Sequence, residues 1–452
     1  MIKRFTIPGQ ARHGLFGLGA ALALHLPLAA GAATAATSAA GSAGVSPRPA
    51  SAPAPGYALF GGQPLAFERS GGKIVAAYVP QWASPGLLAG LPKDNVTHLI
   101  YAFLHACGPG MLPADAARCE GRADFELARA PVDERFEAAF AAFKARAPHV
   151  KVLASVGGWG GSDPFFHLAG VAERRAVFAA SAADFLRRHP SFDGIDIDWE
   201  HPTSNGSANG VALGSPADGP AYADLMQALR AALDRLSGET GRPYLLTSAI
   251  NTSRSIIEHV DMKRAAQSMD LVFMMSYDFH GGWTPTVGNH AALRPARAGQ
   301  EDGLTAATDT LRAAGVPPSK LVAGVAMYAR GFRGVPAPAP GQGLNGLPHQ
   351  GVQPGPEGEA RWREIAGHLI DAQGRGRHGW ATVYDPASGS WDLWNARQGL
   401  YLGYDDPRTV LAKGAYVRAQ GLAGVFAWEL SQDNGDLLNA MNAGVGNSLL
   451  AP

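Results

Sequence analysis

Residues 192–201 read FDGIDIDWEH, and this stretch decides the fold. Asp193, Asp196, Asp198 and Glu200 fall within eight positions, and Ile195, Ile197 and Trp199 alternate with the last three. Side chains alternate across a strand, so Asp196, Asp198 and Glu200 share one face while the isoleucines and Trp199 share the other. A strand that is apolar on one face and acidic on the other fits a barrel wall. The isoleucines pack outward against helices and the carboxylates point inward, with Glu200 nearest the C-terminal mouth, where such barrels carry their sites. Carboxylates two positions apart on a strand sit about 7 Å apart at the backbone and cannot all ionise cheaply. At least one holds a proton near neutrality, which keeps Glu200 available as a general acid. Two alternatives fit less well. A solvated edge strand would not carry flanking isoleucines in mid-chain. A calcium loop draws its ligands from a glycine-containing turn, not a straight strand.

The surrounding chain supports the barrel. Apolar runs rich in Val, Ile, Leu and aromatics recur at 73–79, 97–103, 151–158, 192–200, 244–250, 271–278, 321–329 and 424–430. Amphipathic stretches separate them, such as 221–236, which places Leu225, Leu229 and Leu236 on one face beside Ala232. Near-continuous apolar strands alternating with helices mean parallel strands under helical cover. Eight in order predict an α/β fold, a closed (β/α)8 TIM barrel. The competing open, doubly wound sheet would need a Gly-rich turn after its first strand to bind a dinucleotide, and VPQWASPG (79–86) is not one. About 90 residues separate the seventh and eighth runs, far more than an ordinary crossover. The insert, about 331–405, holds a helical stretch at 362–373 and strand-like pieces at 380–386 and 390–396, enough for a small α+β subdomain.

The chain has 452 residues, with 38 Lys plus Arg balanced by 38 Asp plus Glu, so nothing points to nucleic acid or an anionic membrane. Its start reads as an export signal over 1–35. Lys3, Arg4 and Arg12 precede a broken apolar run from Leu15 to Ala30, and Ala33-Thr34-Ala35 suits a peptidase. The run is too short and interrupted for a retained span of about 20 residues. Residues 36–70 follow as a linker or disordered lead, Ala/Ser/Pro/Gly-rich through 56, and the catalytic unit occupies 71–452. The expected product is secreted, extracellular or periplasmic, and a monomer free of the membrane once the signal is cut. Cys107 and Cys119 are the only cysteines. In an exported protein they pair, the alternative being two free thiols, and two cysteines are too few for a zinc site.

Trp82, Trp159, Trp199, Trp283 and Trp428 all fall at or just after strand ends, five of the nine tryptophans. Indole faces stack on sugar rings, so a cluster at one rim tilts the reading towards a carbohydrate cleft.

These segments carry a family resemblance. FDGIDIDWE resembles the DxxDxDxE signature of family 18 glycoside hydrolases, the chitinases. SVGGW (155–159), MSYDFHG (275–281), YARGF (328–332) and VFAWELSQDNGDLL (425–438) resemble other segments of that family in the same order. The likeness covers about 73–445, and the insert resembles the α+β subdomain of bacterial members with deep clefts. The resemblance implies that Glu200 is the proton donor and that Asp198 turns between Asp196 and the substrate's acetamido group. It implies that Tyr277 bonds that group, with Met275 and Asp278 beside it, and that Trp428 floors the sugar at the cut. Tyr78 and Ser155 match residues near Asp196, Arg330 a sugar-contacting arginine, and Asp193 a structural position. Trp159 and Trp283 join the substrate-binding set.

Three carboxylates on one strand do not supply the second carboxylate across the bond that an ordinary retaining glycosidase needs. The resemblance implies that the substrate's own N-acetyl oxygen takes that part, with no metal and no cofactor. The expected substrate is chitin or N-acetylglucosamine oligosaccharides. Alternatives are an endo-β-N-acetylglucosaminidase acting on N-glycans and a silent chitin-binding lectin, although such lectins have usually lost the glutamate that stands here at 200. His201 departs from the tyrosine or phenylalanine common after that glutamate. It is read as a tolerated ring substitution or as a cleft residue that alters the pH optimum.

Overall fold

Short apolar runs alternating with amphipathic stretches build a closed barrel in the structure, a computed structural model that describes residues 59–353 and 358–450. Its eight parallel strands are β1 (Ile74–Pro80), β2 (His98–Ala106), β3 (Lys151–Gly157), β4 (Gly194–Asp198), β5 (Leu245–Ile250), β6 (Leu271–Met274), β7 (Leu321–Ala326) and β8 (Gly424–Trp428). β1 pairs with both β2 and β8, which closes the ring. Both faces of such strands are buried, one against helices and one inside the ring, and this is why the runs are almost wholly apolar.

Two core layers result. The inner one holds Tyr78, Ile100, Leu153, Phe273, Val322 and Phe426. The outer one packs strand residues such as Val75, Val152 and Ile197 against helical ones such as Phe178, Leu186 and Leu229. Helix Asp218–Thr240 buries Leu225, Leu229, Ala232 and Leu236, the face its periodicity marks. Ile195, Ile197 and Trp199 all join the outer layer. Trp199 is therefore not a rim residue. It is 1% exposed and packs on Phe165, Phe166 and Tyr222. The alternation that turns Asp198 inward turns its neighbour outward.

Between β7 and β8 stands an inserted six-stranded antiparallel sheet. Strand Tyr328–Arg333 follows β7 directly and pairs with Leu400–Tyr404, which pairs with Ser390–Asn395, which pairs with Ala381–Asp385. The sheet has its own apolar centre at Phe332, Leu344, Leu347, Trp394 and Tyr401. The helix expected over 362–373 is shorter. One α turn (Trp362–Glu364) runs into a π-helical segment (Ile365–Leu369) and stops. Asp371 then accepts the N–H groups of Gln373 and Arg375, forming a turn that competes with further helix.

Residues 1–58, with the expected export signal and most of the linker, lie outside the described residues. The linker expectation fails over 59–70, which belong to the fold. Phe67 is 1% exposed and pairs with Leu449, the Gly62 N–H donates to Asp436 at 2.8 Å, and Phe60 packs on Trp362. Most of these partners lie more than 370 positions away, beyond the reach of local composition. No helix among the described residues is long and apolar enough to cross a membrane.

Candidate active site

Strand register sets the chemistry of the acidic row. Asp196 lies beside Ser155 of β3 and Thr247 of β5, both hydroxyl-bearing, whereas Asp198 lies beside Gly157 and Ala249, which carry no donor. Asp196 accordingly takes hydrogen bonds from Ser155 Oγ (2.7 Å), Thr247 Oγ1 (2.6 Å) and, across the barrel, Tyr78 Oη (2.8 Å). Asp198 Oδ1 is buried without a partner among the described residues. Gly157 has φ +115°, and a Cβ there would stand 2.2 Å from the carbonyl oxygen of Asp198, so only glycine lets β3 approach β4 at this point.

Burial dominates the proton affinities. It raises Asp196, and the three hydroxyl donors pull the other way. It lifts Asp198 well above the usual carboxylate range, reinforced by the charges of Glu200 and then Asp196. Glu200 is pushed up to about 8 by burial and then by the charge of Asp278, against a hydrogen bond from the Trp159 backbone. Glu200, the outermost member of the row, therefore keeps its proton near neutrality.

The other wall is fixed differently. Asp278 has φ +58° and is gripped by Arg330 through Nε (2.8 Å) and Nη2 (2.9 Å), with His290 Nδ1 at 3.2 Å. Burial would raise Asp278, but the hydrogen bonds from His290 and Arg330 hold it well below the usual range. The Arg330 guanidinium also stands over Trp283 and Tyr328. Trp428 lies against Tyr78 (5.3 Å between ring centroids) and nearly parallel to Phe103 (5.6 Å, 24°), and Trp82 meets it at 6.1 Å.

These groups line one cavity of about 770 Å³. It brings together Asp198, Glu200, Tyr277, Asp278, Met275, Tyr78, Trp159, Trp283, Arg330 and Trp428. Asp196 and Ser155 lie buried beneath it. Asp193 points away from the site and instead accepts from Lys144 Nζ (2.6 Å) and from the Val152 N–H (2.8 Å). Trp82, Trp159 and Trp283 are 60%, 56% and 57% exposed. His201 lines the cavity, with Nε2 3.8 Å from Glu200 Oε2 and 3.3 Å from the Asn251 amide. Burial lowers its pKa to about 4, so the ring is neutral beside the acid at ordinary pH. Cys107 and Cys119 are bonded. No group of three or more His, Cys, Asp or Glu suited to a metal ion occurs among the described residues.

Sequence reasoning missed Thr247, Phe103 and His290. Thr247 leaves a signal, being the one hydroxyl on the inward face of the run 245–249. Phe103 and His290 leave none, because their places depend on contacts with Trp428 and Asp278 that are remote in sequence.

Comparison with known proteins agrees with this geometry. The family model for glycosyl hydrolases family 18 matches residues 74–433. Chitinase A of Pseudoalteromonas piscicida is 36% identical over 441 residues, covering 83% of this chain and 52% of that protein, so the chain spans about half the length of this relative. A family 18 N-acetylglucosaminidase from Paenibacillus barengoltzii superposes with a TM-score of 0.68 at 28% identity, over 82% of this chain and 99% of that one. A family 18 chitinase from Cycas revoluta, solved with (GlcNAc)3, gives 0.67 at 25% identity, with coverage of 82% and 99%. The family match runs from the first barrel strand past the last and takes in both the acidic strand and the inserted sheet: the chain belongs to glycosyl hydrolases family 18.

Proposed function

We propose that the protein is a chitinase that hydrolyses β-1,4 bonds between N-acetylglucosamine units with retention, using the substrate's acetamido group as nucleophile. One observation carries this reading: Asp196 has three hydroxyl donors while Asp198, next in the row, has an unpartnered oxygen below a protonated Glu200. A carboxylate left open in this way suits an external N–H. Glu200 gives its proton to the glycosidic oxygen as the bond to C1 breaks. The acetamido oxygen closes on C1 to form an oxazolinium ion, and Asp198 accepts the acetamido N–H and stabilises the positive charge. Water then attacks C1, and the Glu200 carboxylate takes its proton. Asp278 is a poor candidate for nucleophile, because two Arg330 nitrogens hold its carboxylate. In this reading Tyr277, which lines the same cavity, bonds the acetamido oxygen, and Trp428 offers a ring face to the sugar. The likeness to Pseudoalteromonas chitinase A and to the Cycas chitinase solved with (GlcNAc)3 supports this substrate class. The disulfide and the N-terminal pattern support action outside the cytoplasm.

Incubation with fully acetylated and fully deacetylated hexamers tests the mechanism. Only the acetylated chain should be cut. Equal rates on both would remove the acetamido group from the reaction, and cleavage of an N-glycan with the acetylated hexamer left intact would favour the endo-β-N-acetylglucosaminidase reading.

A further inference from the structure

At the end of β2, two strands along the barrel from the acidic row, stands a second polar assembly. His105, near the end of β2, is 8% exposed and lines the main cavity together with Gln81. Asp115 Oδ2 lies 3.2 Å from its Nδ1, and Arg118 Nε lies 3.2 Å from Asp115 Oδ1. Arg118 also donates through Nη2 to Gln81 Oε1 at 3.2 Å. Asp115 and Arg118 ride on the short 3-10 helix Pro113–Cys119, and the Cys107–Cys119 disulfide fastens that loop beside His105.

Asp115 Oδ2, although 3.2 Å from His105 Nδ1, makes no hydrogen bond among the described residues. A carboxylate beside Nδ1 keeps the imidazole proton on that nitrogen, so Nε2 carries the lone pair. His105 Nε2 is buried and has no partner among the described residues. Burial and then Arg118 lower the pKa of His105 against the pull of Asp115, so the ring is neutral. Gln81, its oxygen engaged by Arg118, has its amide N–H groups left to donate among the described residues. A buried imidazole nitrogen without a partner is costly, and the cavity that the ring borders is the main cleft.

We propose that His105 and Gln81, held by the Asp115–Arg118 loop, form a further sugar-binding site in the cleft, accepting from a hydroxyl or acetamido N–H at His105 and donating to an oxygen of the same sugar at Gln81. The inference rests on the chitin reading above. It gives the disulfide loop a part in recognition as well as in stability, with Asp115 and Arg118 as positioning residues.

Calorimetric titration of chitohexaose into a Glu200→Gln parent, which does not consume it, tests the site. Adding His105→Phe keeps the ring volume and removes the acceptor, and should weaken binding about fivefold, the loss of one neutral hydrogen bond. His105→Gln places an amide near the position of Nε2 and should stay within about twofold of the parent. Unchanged binding by His105→Phe overturns the proposal. Equal losses in both variants also overturn it, because they would mark a structural role. Should His105→Phe not fold, Gln81→Ala at its half-buried position reads the same site, with weakening expected and parental affinity contradicting it. If the parent itself binds no chitohexaose, the chitin reading falls and this site falls with it.

Discussion

Raising the pH from 7 to 9 is the perturbation Glu200 answers most directly. Its carboxyl is lifted to about 8, first by burial and then by the charge of Asp278. The proposed proton donor is competent only when neutral, so the competent fraction is about nine-tenths at pH 7, about one-half at pH 8 and about one-tenth at pH 9. On a fluorogenic chitobioside, kcat/KM should fall about tenfold between pH 7 and 9 and then about tenfold per further unit. Asp278→Asn removes the second cause. A neighbouring unit charge at a separation on the order of 10 Å and an effective dielectric of about 20 is worth about 1–2 kcal/mol, or about one pKa unit. The alkaline limb of the variant should therefore move down to about pH 7. At pH 8 it would show about one-tenth of its own plateau where the parent shows about one-half. Freeing Arg330 from its partner adds positive charge nearby and moves the limb in the same direction. A parental limb centred near the ordinary glutamate value, or an upward shift in Asp278→Asn, would refute the reasoning.

Two further predictions concern stability. Lys413 and Asp405 are both fully buried and 2.7 Å apart, Lys413 also donates to the Gly324 carbonyl, and Asp405 also accepts the Ala326 N–H. Lys413→Met strands a buried carboxylate and should cost about 3–5 kcal/mol, read as a melting-temperature loss of about 4–6 °C. Adding Asp405→Asn, which keeps the acceptor and drops the charge, should recover most of it; no recovery would mean packing, not charge, holds the site. Replacing both Cys107 and Cys119 with serine opens a loop with a sequence separation of 12. It should cost about 3 kcal/mol, or about 4 °C by scanning calorimetry, while dithiothreitol lowers the parent similarly and leaves the variant unmoved.

The barrel and its acidic row were legible because each depends on local periodicity. Eight apolar runs mark eight strands, and a period of two puts Asp196, Asp198 and Glu200 on one face. Applied strictly, the same period assigns Trp199 to the outer layer, where the structure holds it against Phe165 and Tyr222. Position at a strand end was the weaker signal. What stayed hidden depends on register or on distant contacts. That Asp196 has three donors and Asp198 an unpartnered oxygen follows from which residues of β3 and β5 stand beside them. The fixing of Asp278 by Arg330 joins positions 52 apart. Residues 59–70 read as linker because their partners lie at the other end of the chain.

Glu200→Gln is the most direct test of the claim that the outermost acid of the row delivers the proton. The change keeps the size and polarity of the side chain and removes its acidity. The account predicts that turnover of chitohexaose disappears while calorimetric titration still registers its binding; a variant hydrolysing the hexamer at close to the parental rate would contradict it.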